Sequence, residues 1–374
     1  MEEKSTETKD FTPPKKGWKT NFKTWIKKRP PKKRLAIVAG VSGGILFFGA
    51  AAAFTLIKDD SVAYDPGPIE STYVAPDPEF VSALTGVNVD EVTSKRPVTG
   101  VMIENSIDAR PQSGLSSAGV VFEAIAEGGI TRFLALYQEA RPGNIGPIRS
   151  ARPYYVEWAK GFEAQYLHSG GSGEGLALIQ SLGVKDLDHG KLSGRIANRV
   201  SNRFAPHNVY TNFDTIDRVA QELGYGESKF QAFTRKEVPK EKPSPTASNI
   251  AFDISAAQYN TSYTYNPESN DYSRVMAGQP HIDQEGGNQI SPEVVIALIA
   301  TYRIHPNGIH SQYGSIGSGE ALVFQDGTVT KAIWNKPSQA ASLEFKDAND
   351  KQLKLNTGQT WITAIPPNRV SYTP

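Results

Sequence analysis

The chain has 374 residues, with 40 Lys and Arg against 39 Asp and Glu, a formal charge of +1, 39% hydrophobic residues and no cysteine. That length holds two ordinary domains with buried cores, and the missing cysteine excludes disulfides, thiolate metal sites, cysteine nucleophiles and lipid attachment at a lipobox. The charge is uneven: Met1–Arg34 carries 12 basic residues against 4 acidic, or +8, whereas the rest carries 28 against 35, or −7, which speaks against nucleic acid as a partner of the main body.

Residues 1–34 read as a basic tail whose juxtamembrane position suits an anionic lipid surface. Leu35 to Ile57 follows without a single charge and as a helix would be about 35 Å long, enough to cross a bilayer. Lys27 to Arg34 on the near side and Lys58-Asp59-Asp60 on the far side place the N-terminus in the cytoplasm. The charged preamble and the apolar run are both too long for an ordinary signal peptide, so the run reads as an uncleaved single-pass anchor. Everything beyond it is then extracytoplasmic. Pro66, Pro68, Pro76 and Pro78 make 58–79 a spacer.

Pro97 to Ile103 reads as a first strand. Val120 to Gln138, broken by Gly128-Gly129, reads as a hairpin with a two-residue turn. Pairing Glu127 with Ile130 puts Ile125 opposite Arg132 and Glu123 opposite Leu134. Alternation then predicts an apolar face of Phe122, Ala124, Ala126, Phe133 and Ala135, and a charged face on which Arg132 sits between Glu123 and Glu127. Ser150 is placed to cap a helix through Tyr154, Tyr155, Trp158 and Phe162, with Arg149 and Arg152 at its start. Strand Ala164 to His168, the loop from Ser169 through Gly170, Gly171 and Ser172 to Gly175, and a helix from Leu176 to Leu182 have the layout of an anion cradle. The loop lacks the lysine of a phosphate-binding P-loop.

Arg195 to Thr211 adds Arg199, Arg203 and His207, and Phe213 to Leu223 reads as a helix. Eight of the 14 arginines beyond Lys58 fall between Arg132 and Arg218, against three lysines; the guanidinium fork suits phosphate or carboxylate, although internal ion pairs would account for the same residues. The histidines show no metal-binding spacing, and His168 reads as a proton carrier or a core residue. After the Lys- and Pro-rich stretch 235–249 the chain is strand-rich, with Asp326-Gly327 as a hairpin turn.

The runs RPVTGVMIENSIDARPQSGLSSAGVVFEAIAEGGITRFLALYQ, GNIGPIRSARPYYVEWA, HSGGS and FAPHNVYTN, with GEALVFQDGTVTKAIWNK and LNTGQTWITAIPP, resemble the bacterial YerB-like lipoproteins, whose function is not established. The resemblance covers about Val81 to Pro374, and where that family is commonly lipid-anchored through cysteine, this chain carries the apolar run. Gly146-Pro147-Ile148-Arg149 followed by Ser169-Gly170-Gly171 is more loosely similar to the LytR-CpsA-Psr phosphotransferases, which implies magnesium; Ser150 stands where their motif has aspartate.

The expected protein is therefore α+β, with a cytoplasmic tail (1–34), a transmembrane helix (35–57), a spacer (58–79), a mixed N-terminal domain (80–234), a linker (235–249) and a β-rich C-terminal domain (250–374). Its expected role is to bind or process a phosphate-bearing envelope substrate, with Arg132, Arg149, Arg152, Arg203, His207, Gly170, Gly171 and Ser172 on the ligand and Glu123, Glu127 and His168 as acid, base or metal ligand. The alternative is a non-catalytic scaffold for envelope proteins.

Overall fold

The structure, a computed structural model, describes residues 80–374 apart from Val238 and Lys240. The expected tail, transmembrane run and spacer lie outside the described residues. Among the described residues, no helix is long and apolar enough to cross a membrane.

The described chain is a strand-rich α+β fold. A one-turn helix α1 (Glu91–Ser94) precedes β1 (Thr99–Glu104), the hairpin β2 (Val120–Glu127) and β3 (Ile130–Tyr137), helix α2 (Pro153–Gly161), β4 (Gln165–His168), helix α3 (Gly173–Ser181), β5 (Lys185–Asp188) and helix α4 (Phe213–Glu222). The strands that follow are β6 (Asn249–Phe252), β7 (Thr261–Asn266), β8 (Asp271–Met276), β9 (Gln279–Pro280), β10 (Val294–Ile299), β11 (Gly317–Gln325), β12 (Thr328–Lys336), β13 (Glu344–Lys346), β14 (Thr360–Ile365) and β15 (Val370–Thr373).

A ten-stranded sheet runs in the order β13-β12-β11-β10-β14-β2-β3-β1-β4-β5. Segments 80–234 and 250–374 contribute five strands each, joined where β2 pairs parallel with β14. A second, five-stranded sheet runs β9-β8-β7-β6-β15. Arg235–Lys236, within the expected linker, pairs with Leu355–Asn356, and the Arg235 guanidinium donates to the carbonyls of Leu84 and Asn356.

Both faces of the central sheet are covered. On one, Val120, Phe122, Ala124, Leu134 and Leu136 pack against α2 and α3, and Phe122 stacks on Trp158 with ring centroids 4.9 Å apart. Burying a side chain of that size stabilises the fold by about 1.5–3 kcal/mol. On the other, Val121, Ile125, Phe133 and Ala135 pack against α4 and the second sheet through Phe213, Ile250, Phe252 and Tyr263. Strands covered on both faces read as continuous apolar runs, which is how β2 and β3 read.

The helix starts follow local chemistry. Ser172 accepts from the Gly175 amide to cap α3, and Asn212 accepts from Thr215 to cap α4. For α2 the cap position is Arg152 rather than the expected Ser150, with no side-chain cap and Pro153 in the first turn. The hairpin Tyr302–Ile304 with Ser311–Tyr313 was not foreseen.

Candidate functional site

The turn of the β2–β3 hairpin is as expected, with positive φ at both Gly128 (56°) and Gly129 (79°). Glu127 pairs with Ile130, but the register then shifts: Ile125 faces Thr131, Ala124 faces Arg132 and Glu123 faces Phe133. Ala126 is the extra residue of a β-bulge, and one extra residue moves every side chain beyond it to the other face. The expected face with Arg132 between two glutamates therefore does not form. Arg132 and Glu127 lie on the α2 side; Glu123 lies on the second-sheet side.

On the α2 side the Arg132 Nη2 donates to Glu127 Oε1 at 2.7 Å, Arg152 Nη2 donates to Glu127 Oε2, and Arg132 Nη1 donates to the Ser150 carbonyl at 2.7 Å. Burial works against the Glu127 charge, but the two arginines outweigh it and hold its carboxyl below the usual range.

On the other side Glu123 belongs to a closed ring of interior hydrogen bonds. Arg274 on β8 donates from Nη2 to Glu123 Oε2 (2.6 Å) and from Nη1 to His281 Nδ1 (2.7 Å). His281 Nε2 then bonds Gln112 Oε1 (3.0 Å), Gln112 Nε2 donates to Asn105 Oδ1 (2.7 Å), Asn105 Nδ2 to Thr131 Oγ1 (2.6 Å), and Thr131 Oγ1 to Glu123 Oε1 (3.1 Å). Glu123 also accepts from the Trp361 indole (3.1 Å), and the Arg274 guanidinium lies 4.3 Å from that ring's centroid. Glu123 and Arg274 are both 0% exposed. Because Arg274 and Glu123 come from segments on either side of 235–249, this pair ties the two parts together. A carboxylate so enclosed and saturated is a framework group.

Arg149 turns the opposite way from Arg152. Its Nε lies 3.0 Å from Glu104 Oε1 at the end of β1, although the N–H is not aligned for a hydrogen bond. The same Glu104 oxygen is 3.0 Å from His207 Nδ1, and Ser106 Oγ donates to it at 2.9 Å. Glu104 is only 3% exposed, and among the described residues its second oxygen, Oε2, has no partner; neither has the buried Tyr210 hydroxyl, whose pKa burial raises. In front of them an open pocket of about 690 Å³ is lined by Asp108, Asn202, Arg203, Phe204, His207 and Gln284, among others. A second cleft, about 600 Å³, lies between the starts of α2 and α3 and the Tyr302–Tyr313 hairpin.

The glycine loop is occupied from within. Asp188 Oδ1 accepts from the amides of Gly170 and Gly190 at 3.0 Å each, Gly171 bridges to Ala151, and Ser172 is the α3 cap. His168 is fully buried, with Nδ1 2.8 Å from the Gly170 carbonyl and Nε2 3.0 Å from Asp186. Among the described residues no three His, Asp or Glu converge to hold a metal.

Residues 84–226 match the model described as "Protein of unknown function (DUF3048) N-terminal domain", and residues 250–362 match its C-terminal domain. The chain is 32% identical over 287 residues, 76% of its length and 85% of the relative's, to the lipoprotein candidate YerB of Bacillus subtilis (strain 168). This chain belongs to the YerB-like, DUF3048 family. The crystal structure of YerB superposes with a TM-score of 0.72 at 28% identity, covering 79% of this chain and all of YerB's. The likeness to LytR-CpsA-Psr phosphotransferases rests on short motifs alone, and Arg149, their anchor, is turned toward Glu104.

In this YerB-like fold the structure brings Arg132, Arg152 and Glu127 together, and separately Arg149 and His207 with Glu104, with Arg203 beside His207 in the pocket wall. It places Glu123, His168 and the glycine loop in satisfied interior networks. Sequence reasoning missed Glu104, Asp108, Tyr210, Arg274 and His281. A signal for Arg274 existed: in Asp271–Met276 alternate residues are buried, and Arg274 falls on the buried face between Tyr272 and Met276.

Proposed function

We propose that this chain is a membrane-tethered, extracytoplasmic binding module, and that its ligand enters the pocket walled by Asp108, Arg203 and His207. The apolar run 35–57, with the N-terminus in the cytoplasm, serves as the tether that cysteine-borne lipid supplies in relatives. Binding is preferred to catalysis because Glu123 and His168 already have full sets of internal partners. The observation that carries the reading is the meeting of Arg203 and His207 in the wall of one open pocket, with the buried, half-satisfied Glu104 behind His207. Unpaired buried polar atoms beside a concave, solvent-connected site are where ligand recognition is expected.

The cations favour an anionic group in the ligand, a phosphate or a carboxylate of an envelope component. Titration of the full chain with inorganic pyrophosphate and with short carboxylate ligands tests this: saturable binding that Arg203→Gln weakens at least tenfold supports it, and binding unaffected by Arg203→Gln moves the site elsewhere. Resistance to alkaline extraction from membranes tests the tether; release into the soluble fraction refutes it.

A second reading, an interaction module without a small ligand, is favoured by the pairing of Arg132 and Arg152 with Glu127. Under it a folded Arg203→Gln variant keeps the cellular role. Arg149→Ala with Arg152→Ala would be a poorer test, since it removes the guanidinium beside the buried Glu104 and leaves Glu127 with Arg132 alone.

A further inference from the structure

The charges of the Asp108–Arg203–His207 pocket are of both signs and are not spent on each other. Arg203 makes three hydrogen bonds, to the carbonyls of Asp108 (3.2 Å) and Pro111 (2.7 Å) and to Gln284 Oε1 (3.1 Å). All three acceptors are neutral oxygens. Among the described residues no carboxylate lies within ion-pair distance of Arg203, and three bonds leave part of its five-donor fork unused. Among the described residues the Asp108 carboxylate likewise has no Lys or Arg within ion-pair distance: its side chain is 80% exposed, and the basic side chain that reaches it is His207, whose Nε2 lies 3.9 Å from Oδ2.

His207 is oriented from behind. Its Nδ1 faces the Glu104 carboxylate, which can only accept, so the ring is held with Nδ1 turned inward and Nε2 turned toward Asp108 and the pocket. The exposed Asp108 carboxylate is an acceptor that an ammonium nitrogen in the pocket can reach at about 2.9 Å. A polyanion entering the same pocket meets Asp108 and, behind it, Glu104, so its attraction to Arg203 is offset by repulsion.

We propose that the pocket recognises a zwitterion, an amino acid or free peptide end carrying both an ammonium and a carboxylate. The ammonium is held by Asp108, the carboxylate is held by Arg203, and Phe204, which is 91% exposed at the rim, covers the ligand's aliphatic part. This rests on the reading of the pocket as the ligand site and names the ligand's class.

The test is calorimetric titration of the full chain, in detergent, with dialanine in both configurations, N-acetyl-dialanine, dialanine amide and inorganic pyrophosphate. Expected is saturable binding of dialanine that weakens at least tenfold when either end is capped. Asp108→Asn should erase the discrimination against the N-acetyl form, and Arg203→Gln that against the amide; Asp108 is exposed enough that its change leaves the fold intact, which circular dichroism checks. Equal binding of the capped forms overturns the proposal. Binding of pyrophosphate without dialanine overturns the zwitterion and leaves the pocket as an anion site. Binding of none of the probes removes both readings.

Discussion

Replacing Glu123 by Gln keeps the side chain's shape and removes its charge, and the structure makes the consequence large. Arg274 would keep its bonds to the Tyr263 hydroxyl (3.1 Å) and His281 (2.7 Å) and its place over Trp361, but its charge would lie fully buried without a counter-ion. Breaking a buried pair by removing one partner costs about 3–5 kcal/mol. With an unfolding entropy of about 2.1 cal/mol/K per residue over roughly 295 residues, that lowers Tm by about 5–8 °C. Thermal and urea melts of wild type, Glu123→Gln and Glu123→Gln with Arg274→Met measure it. The double variant, which removes both charges, should be less destabilised than Glu123→Gln, because a buried pair can be replaced by apolar groups at little cost. The same experiment tests the bulge. If Glu123 shared a face with Arg132, Gln would leave Arg132 still paired with Glu127 and cost about 1 kcal/mol or less. A Glu123→Gln Tm within about 1 °C of wild type would refute the interior ring.

His281 adds a pH dependence. Burial, then Arg274 and Arg110, hold its pKa well below the ordinary value, so below about pH 6.5 the unfolded chain binds a proton the folded chain does not, and stability falls by about 1.4 kcal/mol per pH unit as pH drops. Above that pH the contribution is fully present. Urea midpoints at pH 7.5 and 5.5 should differ less for His281→Gln than for wild type, and parallel shifts would defeat the assignment. Glu127→Gln leaves Arg132 and Arg152 facing each other without their shared carboxylate; it should cost about 2 kcal/mol in urea melts, less than Glu123→Gln because Glu127 is partly solvated. A larger loss than for Glu123→Gln would reverse the ranking of the two carboxylates. Phe204→Ser should leave stability within about 0.5 kcal/mol, and a substantial Tm loss would mean that Phe204 packs rather than waits at a rim.

The helices and strands were legible because their signals are local. Ser172 and Asn212 cap the helices they precede, Pro153 opens α2, and Gly128-Gly129 can be read as a turn whatever lies around it. The charged face was not legible, for two connected reasons. Val120 to Ala126 is buried on both sides, so the two-residue contrast that normally fixes register is absent. The bulge that resolves the ambiguity uses Ala126, which carries none of the backbone signature a glycine bulge would show. One alanine thus decides that Glu123 meets an arginine 151 positions away while Glu127 meets one five positions away. That partition also explains why the cations most prominent in the sequence are the least available to a ligand. Arg132 and Arg152 are drawn to Glu127 because the bulge returns it to their face, and Arg149 is drawn to Glu104 because β1 ends beside it. Arg203, on a loop that offers it only neutral oxygens, keeps a charge to share.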